Sequence, residues 1–327
     1  MQILFSEYIP YIFTPFKRAN NVVSFFSGKF NNLRFKLKQK FYEIPWLGTM
    51  REQSYQKALN SHKRYLPLLN SRSESILDRL RTKGTCIVSL NELRLSATDK
   101  MMDTAFALAG SLRQQQTNPY IRKKAELGCG KEDLREFPEM LLWALEPKLL
   151  DIIENYVGIP ILYQGFAMRR SIADGGYYDV RRWHIDWEDR RTIKIIIYLN
   201  DVTAGGGPYE YIPRTITSEA IAKLNGNIGH LSDSQMQAIV PRECWTACLA
   251  DVGEMIITDT SSVFHRAQPP TARERLSITF CYTSANPRVF WKRRKISALQ
   301  QKLVNSKLDC RQRNCLPQNR FGTFFDR

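Results

Sequence analysis

The spacing of apolar positions changes part-way along the chain. Up to about residue 157 they recur at helical intervals. Glu52 to Leu69 is helical in pattern, and Ser71-Arg-Ser-Glu-Ser-Ile-Leu-Asp-Arg-Leu-Arg reads as a capped helix start with Ile76, Leu77 and Leu80 on one side and Gly84 as its stop. Cys86 to Leu90 reads as a short strand. Ser96 to Leu112 is a further helix, opened by Ser96 with Asp99 three residues on as an approximate capping box. Residues 135 to 157 carry Leu141, Leu142, Leu145, Leu149, Leu150, Ile152 and Ile153, a helical region broken near Pro147. Gln114 to Pro119 and Gly128 to Gly130 break the pattern and read as loops.

Beyond Gly158-Ile-Pro160 the character becomes β. Ile161 to Arg170, Val180 to His184, Thr192 to Leu199, Tyr209 to Ile212, Met255 to Thr258 and Leu276 to Thr283 are short strand candidates punctuated by Gly and Pro. Short strands of this kind suggest a sandwich or jelly roll. Helices first and strands afterwards make an α+β layout, with the helices packed outside the sheet. Residues 217 to 240 read as a helical insertion containing His230, a loop histidine. Ala204-Gly-Gly-Gly-Pro208 lacks the spacing of a phosphate loop and enters a strand, so it reads as a flexible hairpin connection.

Charge changes the picture of the ends only. The 327 residues are 43% hydrophobic, enough for a core, and carry a formal charge of +16. Residues 1–50 hold seven Lys/Arg against two acids and residues 288–327 hold eleven against two, leaving 30 against 28 between them. This predicts a basic, aromatic-rich N-terminal extension (1–50), a near-neutral body (51–287) and a basic C-terminal tail (288–327), and gives no reason to expect a specific nucleic-acid partner. The seven cysteines are odd in number and lack Cys-x-x-Cys pairs, which points to reduced thiols in the cytoplasm. Cys244 and Cys248 lack the partners that a metal site needs. Acid at Glu7 and basic residues only from Lys17 do not make a secretory signal. No apolar run is long enough to span a bilayer. Aromatic residues from Phe5 to Phe30 beside Lys29, Arg34, Lys36, Lys38 and Lys40 leave two readings for residues 1–50, peripheral contact with an anionic membrane or packing on the body.

The candidate chemistry centres on Trp183-His184-Ile185-Asp186-Trp187. On a strand, His184 and Asp186 point the same way and can share one cation. His265 follows a second strand candidate, Glu254 to Asp259. Two neutral imidazoles and a carboxylate on one face, with other coordination positions open, form the facial triad of non-haem Fe(II) oxygenases. His-x-Asp alone is common by chance, and its surroundings give it weight. After His265, Leu276, Ile278, Phe280 and Tyr282 share one strand face, and Arg275, Ser277 and Thr279 share the other. An arginine there can clamp the far carboxylate of 2-oxoglutarate while its oxo-acid end chelates iron. Arg273 is a near rival, disfavoured by the alternation. Arg169, Arg170, Arg181, Arg182, Arg190 and Arg191 near the triad suit either a solvated face or an entrance for an anionic small molecule.

Taken as an ordered set, Arg182-Trp-His184-Ile-Asp186-Trp, Ile195-Ile-Ile-Tyr-Leu-Asn-Asp201-Val, Gly206-Gly-Pro-Tyr-Glu-Tyr-Ile-Pro213, Gly253-Glu-Met-Ile-Ile-Thr-Asp259, His265 and Arg275-Leu resemble the phytanoyl-CoA dioxygenase-like Fe(II)/2-oxoglutarate oxygenases over roughly residues 72 to 284. The resemblance implies a double-stranded β-helix (jelly roll, cupin-like) core. It implies iron ligands at His184, Asp186 and His265 and a 2-oxoglutarate ligand at Arg275. Fe(II), 2-oxoglutarate and O₂ would then serve to hydroxylate, desaturate or cyclise a small-molecule or lipid-like substrate, releasing succinate and CO₂. Pro213-Arg214-Thr215 departs from the family's usual Pro-Gly-Ser-His turn, so the substrate-side loop is expected to differ. Residues 113–135 and 214–242 are the candidate lids. The alternatives are a non-catalytic jelly roll binding an anionic membrane or nucleic acid through its basic ends, and a cupin-type metal enzyme without 2-oxoglutarate.

Overall fold

The computed structural model describes residues 45–114, 126–128, 137–224, 229–288 and 298–316. The chain divides into two compact units, residues 1–64 and 65–327. Helix α1, Pro45–His62, belongs to the first. The extension at 1–50 lies outside the described residues except for 45–50, and so does most of the candidate lid at 113–135. Among the described residues no helix is long and apolar enough to cross a membrane.

The second unit opens with α2, Ser71–Lys83, which buries Ile76, Leu77 and Leu80. Its cap is Asn70, one residue before the expected serine, with Asn70 Oδ1 accepting from Ser73 N at 2.9 Å. Gly84, at φ +79°, ends the helix. A Cβ there would lie 2.5 Å from Val263 Cγ1, so the turn needs glycine for space as well as for backbone angle. Strand β1, Thr85–Ser89, and the short α3, Leu90–Leu93, follow. Helix α4 runs Thr98–Gln114, and Ser96 does not cap it as expected. The Ser96 hydroxyl donates to Glu146 Oε1 at 2.6 Å, and that oxygen also accepts from Ala97 N at 2.9 Å. A distant acid thus takes the place that local spacing assigned to serine. Strand β2 is Glu126–Gly128. The helical region near Pro147 is two helices, α5 (Pro138–Ala144) and α6 (Pro147–Val157), each with proline in the first turn, where no intrahelical hydrogen bond is lost.

The remaining strands are β3 (Ile161–Ser171), β4 (Ile193–Tyr198), β5 (Tyr209–Tyr211), β6 (Thr246–Cys248), β7 (Glu254–Asp259), β8 (His265–Ala267) and β9 (Arg275–Ser284). They form two antiparallel sheets with β1 and β2, one ordered β1-β7-β4-β9-β3-β2 and a smaller one ordered β6-β5-β8. The expected strand Val180–His184 is a 3-10 turn, Asp179–Arg181, followed by single bridges at Trp183 and His184. Arg181 in this turn is fully buried and donates to Asp174 Oδ1, Gly176 O and Ile172 O, which ties the turn to the preceding loop. The insertion expected at 217–240 is α7 (Arg214–Lys223) and α8 (Asp233–Gln237), the latter with a Ser232–Gln235 capping box.

Central strand β4 shows how the larger sheet divides its faces. Ile193, Ile195 and Ile197 are fully buried opposite Tyr282, Phe280 and Ile278 of β9. Helix α5 covers this face: the Trp143 ring lies 4.6 Å from that of Phe280, and Tyr282 Oη donates to Ala144 O at 2.8 Å. Burial of each isoleucine contributes about 1.5–3 kcal/mol. Lys194, Ile196 and Tyr198 point the other way, beside Cys281, Thr279 and Ser277 of β9 and Gly165, Ala167 and Arg169 of β3. This second face, with Tyr209, His265 and Ala267 from the smaller sheet, lines a cavity of about 340 Å³.

Helices α9 (Ala298–Lys307) and α10 (Cys310–Asn314) follow. Arg311 pairs with Asp151 at 2.5 Å and Glu154 at 2.7 Å, and Cys315 O accepts from Tyr163 N at 2.8 Å, so this part of the basic tail is held on α6 and β3. The cysteines among the described residues are free thiols.

Candidate metal centre

His184 and His265 sit directly opposite one another. His184 N donates to His265 O and His265 N to His184 O, both at 3.0 Å. Residues that exchange both bonds in an antiparallel pair project their side chains from the same face. Asp186, two residues past His184, returns to that face, with its N–H donating to Thr260 O at 2.9 Å. The imidazole centroids lie 4.3 Å apart. His184 Nε2 is 3.8 Å from Asp186 Oδ1, and His265 Nε2 is 3.8 Å from Asp186 Oδ2. One ligand atom from each of the three residues lies within 4.8 Å of the others, an arrangement that could hold a metal ion.

The back of each ring settles its tautomer. His184 Nδ1 is 2.8 Å from Arg182 O, and His265 Nδ1 is 3.2 Å from Val263 O. A carbonyl only accepts, so each Nδ1 carries the proton and each Nε2 turns a lone pair toward the carboxylate. Burial lowers the proton affinity of both rings, bringing His265 down to about 3. Neutral imidazoles of this tautomer are what a dication needs. Burial works to raise the Asp186 carboxyl, but the Lys194 ammonium outweighs it and holds it ionised, well below the usual carboxylate range. The donor set of two imidazoles and one carboxylate therefore fits Fe(II) in protonation as well as geometry.

Lys194 was not among the residues the sequence singled out. Its ammonium forms an ion pair with Asp186 Oδ2. Asp186 and then Glu188 hold that ammonium charged, above the usual lysine range, against the opposing effect of burial. The available signal was a lone cation inside Ile193-Lys194-Ile195-Ile196-Ile197. Tyr209 was also missed. Its ring stacks on His265 with centroids 5.6 Å apart, and its hydroxyl is 2.8 Å from Thr258 Oγ1. His230 does lie outside the named helices and strands, yet its ring stacks on that of His184 at 5.0 Å, so this loop histidine borders the site.

The segment carrying His230 is fastened beside the centre. Arg266, fully buried, donates through Nε to Glu210 Oε2 at 2.6 Å and through Nη1 to Asp233 Oδ1 and, at 3.3 Å, to Tyr177 Oη. Trp183 Nε1 donates to Asp233 Oδ1 at 3.1 Å, and the Arg266 guanidinium lies 4.8 Å from the Trp183 ring centre. Burial acts to raise the Asp233 carboxyl, while hydrogen bonds from Tyr177 and Arg266 outweigh it and hold it below the usual range.

Arg275 and Arg273 are separated by the fold. Arg275 is buried and lines the cavity, whereas Arg273 is exposed. Arg275 Nη1 donates to Gly207 O, and Nη2 lies 3.4 Å from Ser171 Oγ. The glycine connection is therefore a seat for the guanidinium. Gly207 has φ +68°, and a Cβ on it would meet Gln268 O at 2.5 Å. In register, Lys194 stands opposite Cys281, six positions along β9 from Arg275.

No family model matches the sequence. No curated protein matches it. Among solved structures, the chain is similar to EctD from S. alaskensis in its apo form, at 15% identity over 72% of this chain and 89% of that one, with a TM-score of 0.48. It is also similar to HygX from Streptomyces hygroscopicus with nickel and 2-oxoglutarate bound, at 14% identity over 67% and 88%, TM-score 0.45. A third is ThoJ, a non-heme monooxygenase in its apo form, at 15% identity over 65% and 80%, TM-score 0.45. The chemistry of the present centre rests on its own side chains.

Proposed function

We propose that the chain is an Fe(II)/2-oxoglutarate-dependent dioxygenase of the phytanoyl-CoA dioxygenase-like kind, its two sheets being the halves of a double-stranded β-helix. The observation that carries this reading is the convergence of His184 Nε2, His265 Nε2 and the Asp186 carboxylate on one side of a cavity that also contains the buried Arg275. His184, His265 and Asp186 would hold the iron as a set of two histidines and one carboxylate, the kind of site that leaves coordination positions for cosubstrate and O₂. Arg275 binds the far carboxylate of 2-oxoglutarate through its planar fork, with Ser277 and Thr279 lining the path between. When bound, the iron supplies an oxidation in which 2-oxoglutarate and O₂ are consumed to succinate and CO₂ and a substrate carbon loses hydrogen.

The protein's part is to place and shield. The Arg182 and Val263 carbonyls hold the two Nδ1 protons, so neither ring can turn to offer the wrong nitrogen. Tyr209 closes one side of the His265 ring and keeps water from it. Because Asp186 is a carboxylate, it fills a coordination position that a halide would need, which favours hydroxylation, desaturation or cyclisation over halogenation. The substrate is a small molecule, in keeping with the cavity's size. Arg169 at its edge suits one bearing a carboxylate or phosphate.

Anaerobic addition of Fe(II) and then 2-oxoglutarate should produce the weak visible charge-transfer absorption of a chelated oxo-acid, and His184→Ala should abolish it. Folded protein that binds iron yet gives no such band refutes the 2-oxoglutarate assignment. Succinate release measured across candidate small molecules then identifies the substrate class.

A further inference from the structure

One oxygen of Asp186 faces both Lys194 and His265. Asp186 Oδ2 is the atom that faces His265 Nε2, at 3.8 Å, and it is also the atom paired with the Lys194 ammonium. A dication bound to that oxygen would be a like-charge neighbour of that ammonium, inside a cavity wall that screens the two charges poorly. Lys194 therefore cannot keep its present partner at full strength once the centre is loaded. Its side chain is mostly buried, and an ammonium removed from water needs an anion. Glu188, two residues beyond Asp186, lines the same cavity as Lys194. Cys281, the register partner of Lys194, is a thiol and offers no charge in exchange.

We propose that Lys194 is a positioning residue: it holds Asp186 in place in the metal-free protein and yields it to an incoming dication by moving its ammonium to Glu188. The inference rests on the reading of His184, Asp186 and His265 as metal ligands, and adds that the Lys194–Glu188 pair sets how tightly they take the ion. The lone lysine in a strand of isoleucines is then a stand-in cation. It keeps a buried carboxylate from repelling its surroundings while the centre waits for metal.

The test is titration of the metal-free protein with Ni(II), without 2-oxoglutarate or O₂, by calorimetry and by tryptophan emission. Lys194→Met should bind Ni(II) at least tenfold more tightly than wild type, an improvement that damage to a merely structural residue would not produce. Lys194→Arg keeps the charge and should stay within about threefold of wild type. Glu188→Gln should bind about tenfold more weakly, and the same change in a Lys194→Met background should have less than a threefold effect. If Lys194→Met binds no more tightly than wild type, or if Glu188→Gln weakens binding equally in both backgrounds, the handover is refuted while the metal centre stands. Should Lys194→Met not fold, an unaltered affinity in Glu188→Gln refutes it instead. Wild-type protein that takes up no Ni(II) refutes the metal centre and the handover with it.

Discussion

The backbones of His184 and His265 exchange two 3.0 Å hydrogen bonds, and this pairing sets the two rings side by side, tilted at 52° to one another, next to the Asp186 carboxylate. The pairing belongs to the main chain, so the rings can be removed without undoing it. His184→Ala and His265→Ala should each remain folded by circular dichroism and lose metal affinity by more than about 100-fold, since even supporting residues around a metal cost 10–100-fold. A variant that keeps wild-type affinity would place the ion elsewhere.

Arg275 and Arg273 differ in burial, and their variants should differ in kind. Arg275→Gln removes a charge-assisted fork and should raise the 2-oxoglutarate KM roughly 100-fold, about 3 kcal/mol. Arg273→Gln, at an exposed position, should stay within about twofold. Equal effects in a succinate-release assay would remove Arg275 from the clamp.

Gly207 combines a positive φ with no room for a side chain, and its carbonyl seats Arg275. Gly207→Ala should destabilise by about 2–4 kcal/mol in urea unfolding and weaken 2-oxoglutarate binding. Gly175 is the control, with φ +63° and no atom within 4 Å of the place a Cβ would take. Its alanine variant should cost only about 1 kcal/mol and leave the cosubstrate KM alone.

The Asp233 carboxyl titrates below its unfolded-state value, because the fold stabilises the anion through Tyr177 and Arg266. That stabilisation is complete above the unfolded value of about 4 and is lost as pH falls through the lower folded one. Acidification below about pH 4 should loosen the segment at 229–240, read as a change in emission from Trp183 and Trp245, both of which lie against Arg266. Asp233→Asn should show the loosened spectrum at neutral pH and no further acid step attributable to this pair. An unchanged acid step in that variant would assign it to another group.

Much of the layout was readable because its causes are local. Period-two alternation from Leu276 to Thr283 separates a helix-covered face from a cavity face, and β9 has that division. Gly84 ends α2 for a reason visible in one residue. The failures have non-local causes. Ser96 lost its capping role to Glu146, and the strand expected at Val180–His184 became a turn that the buried Arg181 ties to the preceding loop. His230 does lie in a loop, but the spacing of residues says nothing about which ring it will rest on.

From sequence alone came the change from helical to strand period, the choice of His184, Asp186, His265 and Arg275 as candidates, and the preference for Arg275 over Arg273, because each depends on residue type and on alternation over a few positions. Only the tertiary structure decided that Lys194 lies on the Asp186 oxygen facing His265, that Arg266 fastens the Asp233 segment beside the centre, and that Gly207 seats Arg275. Those are meetings between side chains and backbone far apart along the polypeptide, fixed by sheet register and by the need of every buried charge for a partner, and neither is written in the neighbourhood of any one residue.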